Sequence, residues 1–183
     1  MSMLGLTKLP KSVVLVGMMG VGKTSVGRKL AKRLSVEFKD SDQEVEKAAG
    51  CSVADIYNWY GESAFRDTEK RVMTRLLSEE PHVISTGVET FKDDETRQLI
   101  LDKGFSVWLF ATLETLYPRV AGRSHRPQLE TGDKMETLQR YINDYYPIYE
   151  KADFRIDCDN RIPDTTSDLI VQEIARRFWD TTE

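Results

Sequence analysis

One short segment constrains this chain more than any other. Gly17-Met18-Met19-Gly20-Val21-Gly22-Lys23-Thr24 satisfies G-x-x-x-x-G-K-[ST] at every fixed position. Glycines let successive backbone N–H groups turn toward one point and form an anion-binding concavity. The helix that follows adds the positive end of its dipole. A loop of this kind holds nucleotide phosphates through the backbone of Gly17, Met19, Gly20, Val21, Gly22 and Ser25. Lys23 reaches the β and γ phosphates, and the Thr24 hydroxyl ligates Mg²⁺. The flanks agree with this reading. Ser12 to Val16 is a β-branched run that reads as a buried strand, and Val26, Leu30 and Leu34 recur at helical spacing after Gly22. ATP with Mg²⁺ is therefore the expected ligand.

The rest of the chain alternates strand and helix signals, which implies an α/β fold with a largely parallel sheet. Strands are expected at Val36–Lys39, His82–Thr86, Ser106–Phe110 and Phe154–Asp157. Helices are expected over Asp42–Ala49, Val53–Tyr60, Glu62–Leu77, Asp94–Lys103, Thr112–Val120 and Met135–Tyr145, with a last one capped by Asp164. Residues 121–133 are polar and rich in Gly, Arg and Ser, and read as a mobile loop. A length of 183 residues without repeats or linkers suits a single domain over 1–183. The helices over about 41–78 are expected to bind the second substrate.

Charge and cysteine usage narrow the function. A net charge of −4 argues against a dedicated nucleic-acid or membrane surface, since both need a dense basic face. Lys8 and Lys11 before the apolar run Val13–Val21 imitate a secretory signal, but three glycines and an amphipathic helix follow without a cleavage pattern. No run of about 18 apolar residues exists, so no membrane span and a cytoplasmic location are expected. Cys51 and Cys158 lack partners at ligand spacing and read as reduced thiols. His82 and His125 are isolated.

Further segments follow in order: Phe38-Lys39-Asp40-Ser41-Asp42, Gly61-Glu62-Ser63-Ala64-Phe65-Arg66, Val83-Ile84-Ser85-Thr86-Gly87, Arg126-Pro127 and Pro147-Ile148-Tyr149. With the phosphate loop they span roughly residues 10 to 160 and resemble the shikimate kinase family, a branch of the nucleoside-monophosphate-kinase-like P-loop kinases. The resemblance implies a five-stranded parallel sheet in order 2-3-1-4-5 flanked by helices, a P-loop kinase fold with a lid. It implies transfer of the ATP γ-phosphoryl group to the 3-hydroxyl of shikimate, a place in aromatic amino acid biosynthesis, and a monomer with a small-molecule partner.

Asp40 and Asp42 fall at the end of the second expected strand, where residues two apart share a face. Two carboxylates there suit Mg²⁺ held through water and an oriented acceptor hydroxyl; a capped turn opening the next helix is the alternative. The resemblance assigns magnesium to Asp40 and substrate hydroxyls to Asp42. Arg66, three residues before Glu69, is either a helix-surface ion pair worth under about 1 kcal/mol or, as the resemblance implies, the fork that grips the substrate carboxylate. The resemblance also brings Arg126 from the lid to the transferring phosphoryl group and Arg119 against the adenine, where a solvated arginine is the alternative. It places Asp159–Pro163 beside the base.

Three departures fall in the acceptor half. The family carries three glycines after the third strand; this chain has Gly87-Val88-Glu89. The central glycine approaches the substrate with its backbone, so either Val88 keeps φ below zero or the loop is reshaped. Glu89 adds a carboxylate where a substrate carboxylate belongs. At about 5 Å and an effective dielectric near 20 the repulsion is roughly 3 kcal/mol, relieved only if Glu89 pairs with Arg66 and occupies it. Tyr145 stands where the family places a second arginine, a charged bond worth about 1.5–3 kcal/mol. Three outcomes remain open: a shikimate kinase with a remodelled acid site, a kinase of another polyol or cyclitol, and a nucleotide-binding module without phosphotransfer.

Overall fold

The computed structural model describes residues 8–122 and 133–179. Five strands, β1 (Val13–Gly17), β2 (Phe38–Asp40), β3 (Val83–Ser85), β4 (Phe105–Phe110) and β5 (Phe154–Asp157), form one parallel sheet in the order β2-β3-β1-β4-β5. β1 is central because it alone is apolar throughout: Val13 to Val16 are fully buried, as a strand covered by helices on both faces requires. Its register is Val14 opposite Ile84 on one side and Ser106 on the other.

Among the described residues six helices lie between the strands, α1 (Lys23–Leu34), α2 (Ser41–Ala49), α3 (Val53–Leu76), α4 (Asp94–Lys103), α5 (Leu113–Ala121) and α6 (Lys134–Tyr149), and α7 (Pro163–Phe178) follows β5. α1 packs on α7, α2 on α3, and α5 on α6. α3 is interrupted at Gly61, whose φ of 82° and ψ of 176° are not helical, so the two helices expected on either side of that glycine are real and joined at a kink. No described helix is long and apolar enough to cross a membrane.

Three local expectations need correction. α6 runs on through Pro147 to Tyr149 instead of ending at Tyr145. A proline in the last turn costs a hydrogen bond, but Tyr149 is completely buried and its hydroxyl donates to the Val88 carbonyl at 2.6 Å, which holds the turn. α7 begins at Pro163, a favoured first-turn residue, with Ile162 as its cap. Asp164 is one residue inside and pairs with Lys29 and Arg33 of α1. β2 starts two residues later than expected, because the Val36 amide is still bonded to the Ala31 carbonyl at the end of α1, and it runs one residue further, to Asp40, which caps α2. The expected lid falls largely, and Arg126 and His125 fall wholly, outside the described residues.

Candidate functional site

The site lies at the carboxyl ends of β1, β2 and β3, where parallel sheets bind ligands. After β1 the chain turns through Gly20 (φ 82°) and Gly22 (φ 100°), the left-handed region a side chain resists. Gly22 is also the N-cap of α1. It has no side chain to satisfy the first-turn N–H groups, and no acidic residue follows in that turn. In α2, α3, α4 and α6 an Asp or Ser side chain fills that role. The amides of α1 are thus left for an external anion. Lys23 folds back over the loop, its Nζ donating to the carbonyls of Gly17 at 2.6 Å and Met18 at 3.1 Å. Met18, Met19 and Val21 bury their side chains in the core, so the loop contributes backbone only at those positions.

A cavity of about 250 Å³ opens beside this loop and is lined by Met19, Gly20, Gly22, Lys23, Thr24, Ser25, Asp40, Asp42, Ser85, Thr86, Gly87 and Val88. Most residues expected to bind phosphate, magnesium and the acceptor hydroxyl therefore meet in one place. Asp42 is not carried on β2 beside Asp40, as the spacing suggested; it sits in the first turn of α2. Asp40 accepts the amides of Asp42 and Gln43 through Oδ1. The capped-turn reading holds, and the cap still presents both carboxylates to the same cavity. Gly87 abuts the Asp42 carboxylate: a Cβ there would lie 3.1 Å from Oδ1.

Asp42 has its pKa raised to about 6, first by burial and then by Asp40 and Glu69, with Lys23 opposing. A carboxylate tuned to that range is able to take a proton near neutral pH. Among the described residues no three or more His, Cys, Asp or Glu are placed to hold a metal ion by themselves. The hydroxyl of Thr24 and the carboxylate of Asp40 line this cavity together, and hard oxygen donors of that kind fit a Mg²⁺ ion.

On the other side of the loop, Gly20, Val21, Gly22, Arg119, Arg161 and Cys158 line a second cavity of about 270 Å³. Arg119 is exposed on α5, with Nη1 3.5 Å from the Gly20 carbonyl. Arg161 joins it from the loop expected to lie beside the base; no local pattern distinguishes this arginine in the sequence. Cys158 is buried, which pushes its thiol up to about 11. Both cysteines are free thiols.

Arg66 and Tyr145 do not line the first cavity. They lie beyond Val88 and are joined there by Glu89. Arg66 donates through Nη2 to Glu89 and through Nη1 to Glu69 at 3.1 Å. The Tyr145 hydroxyl donates to Oε1 of Glu89 at 2.7 Å. Val88 keeps φ below zero: Ser35 and Asn160 are the non-glycine residues with positive φ among those described. The loop thus accommodates the first departure without backbone strain, and the anticipated Arg66–Glu89 pair forms. Burial opposes the charge on Arg66, but Glu69, Tyr57 and Glu89 outweigh it and hold its pKa above the ordinary value. Glu69 is almost fully buried, and burial raises its pKa although Thr90 (2.6 Å) and Arg66 bond to it. Its role had a signal in the sequence, for it shares the helical face of Phe65, Val72, Met73 and Leu76.

Comparison with known proteins agrees with this geometry. The family model described as shikimate kinase matches residues 19–181. A shikimate kinase of Paramagnetospirillum magneticum is 45% identical over 159 residues, covering 87% of this chain and 82% of its own. One of Caulobacter vibrioides is 48% identical over 147 residues, covering 80% and 74%. A solved shikimate kinase from Acinetobacter baumannii in complex with shikimate superposes with a TM-score of 0.85 at 30% identity, covering 92% of this chain and 95% of its own. A gluconokinase from Sinorhizobium meliloti, at 20% identity and a TM-score of 0.60, shares the fold alone.

Proposed function

The chain belongs to the shikimate kinase family, and from that premise we propose that it transfers the γ-phosphoryl group of Mg·ATP to the 3-hydroxyl of shikimate. The observation that carries this reading is the meeting of Lys23, Thr24, Asp40, Asp42 and Gly87 around one cavity at the mouth of α1.

The amides of Gly20 to Thr24 and the dipole of α1 receive the β and γ phosphates. Lys23 exchanges its two carbonyl partners for phosphate oxygens and neutralises charge as it spreads over the transferring group. Thr24 and Asp40 would hold the metal, which would supply Lewis-acid stabilisation of the phosphate charge. Asp42, pressed against Gly87, orients the acceptor hydroxyl in line with the phosphorus and takes its proton as the new O–P bond forms. ADP leaves with the electrons of the broken bond. Arg126, assigned by the family resemblance, adds positive charge to the same group. Arg119 and Arg161 flank the base. A module without phosphotransfer has no need of a carboxylate tuned to about 6 beside a phosphate lysine.

A coupled ADP-release assay with shikimate tests the proposal. Saturable, shikimate-dependent turnover is expected. Tight Mg·ATP binding with no shikimate turnover would overturn it.

A further inference from the structure

Asp42, Gly87 and Val88 line the acceptor cavity, and the next residue in the chain, Glu89, carries a polar network of its own. Glu89 is a third exposed at its side chain and ties three elements together. Its carboxylate takes the Arg66 guanidinium from α3 and the Tyr145 hydroxyl from α6. Tyr149, one turn after Tyr145, fastens the Val88 carbonyl at 2.6 Å, so the loop carrying Glu89 is pinned on both sides. The ammonium of Lys92, an exposed residue, lies 5.5 Å over the Tyr145 ring.

Charge around Arg66 is oversupplied with carboxylates. Glu89 and Glu69 bond to it, and Glu62 stands 3.5 Å away. One guanidinium faces three carboxylates, with Asp42 close enough to feel Glu69. A ligand carboxylate arriving here must displace Glu89 from Arg66 or sit beside it, and either route is unfavourable in a half-buried site. A hydroxyl or ammonium group in the same place donates to Glu89 and leaves the network whole.

Resting on the kinase reading above, we propose that Glu89 is a built-in carboxylate that determines acceptor specificity. The acceptor subsite prefers a cyclitol that presents a hydrogen-bond donor, hydroxyl or ammonium, toward Glu89 over one that presents a carboxylate. Hydroxyl recognition at Asp42 is unaffected, so shikimate remains an acceptor, held by its ring hydroxyls and disfavoured at its acid group.

Calorimetry on the whole protein with saturating Mg·ADP tests this. The probes are shikimate and the analogue in which its carboxylate is reduced to hydroxymethyl. The wild type is expected to bind the alcohol as tightly as shikimate or tighter; tighter binding of shikimate overturns the proposal. In Glu89→Gln, which keeps the shape of the side chain and removes its charge, the ratio of affinities is expected to move at least fivefold toward shikimate. A smaller movement overturns the proposal as well. If that variant fails to fold by circular dichroism, the wild-type ratio decides alone. The kinase reading fails separately: no phosphoryl transfer to either compound, with the binding ratios as expected, sinks it and leaves the role of Glu89 intact.

Discussion

The two halves of the site are built on different principles. The phosphate cradle of the nucleotide half comes from one contiguous stretch, Gly17 to Ser25, acting mainly through its backbone, with the side chains of Met18, Met19 and Val21 turned into the core. The acceptor half comes from single side chains on separate elements: Asp42 on α2, Arg66 and Glu69 on α3, Glu89 after β3, and Tyr145 on α6. A backbone cradle changes little when side chains vary, because its donors belong to every residue. A side-chain network is redrawn by two substitutions, as Glu89 and Tyr145 show. The difference teaches that the chemistry of one substrate can be retained while recognition of the other drifts.

Four substitutions break or sharpen this contrast. Lys23→Ala, in the nucleotide half, is expected to lower kcat by about 10³- to 10⁵-fold, the range for a cation that stabilises a transferring phosphoryl group. Near-normal ADP release by that variant would remove Lys23 from the reaction. Asp42→Asn, at the junction of the halves, is expected to lower kcat by about 10²- to 10⁴-fold, with nucleotide binding retained in calorimetry. The wild-type rate should fall on the acid side with an apparent pKa near 6.

Asp42 also links pH to stability, with a definite sign. Its folded pKa is raised above the unfolded value of 3.8 to about 6, so the folded state binds the proton more tightly. The resulting stabilisation is complete below pH 4 and is lost as pH rises through 6. Asp42→Asn should therefore be more stable than the wild type at pH 7, by up to about 3 kcal/mol at roughly 1.4 kcal/mol per unit. The gap should close as urea titrations are repeated toward pH 4.

Arg66→Ala probes the acceptor network as structure. It leaves Glu69 buried without its cation, and urea unfolding at pH 7 should show a loss of about 3 kcal/mol, within the range for breaking a buried pair. A loss under about 1 kcal/mol would mean that Arg66 is an ordinary surface pair. The smallest effect is expected for Arg119→Ala. A cation near an exposed aromatic base is worth about 0.5–1 kcal/mol, so KM for ATP should rise about two- to fivefold with kcat unchanged.

Much of this molecule was legible before any coordinates. The motif from Gly17 to Thr24 and the apolar run before it define strand, loop and helix together, because each residue type serves its immediate neighbours. Gly61 marks the kink in α3 for the same reason. Legibility fell where distant contacts override local preference. Pro147 argues for a helix end, yet the burial of Tyr149 carries α6 past it. Asp164 looks like a cap, yet Pro163 starts α7 one residue earlier. Asp40 and Asp42 read as a strand pair, yet the cap hydrogen bonds place Asp42 on a helix. Arg161 carries no local mark and becomes notable only because the loop after β5 folds toward Arg119.

By itself the sequence determined the nucleotide end of this protein and the alternation of strands and helices, since both depend on residues within a turn or two of each other. Only the tertiary structure decided which side chains Glu89 would meet. Its partners Arg66 and Tyr145 are 23 and 56 residues away, and nothing short of the folded sheet brings them within hydrogen-bond reach. Charge and hydrogen bonding act through space, so a carboxylate acquires its meaning from the side chains it meets.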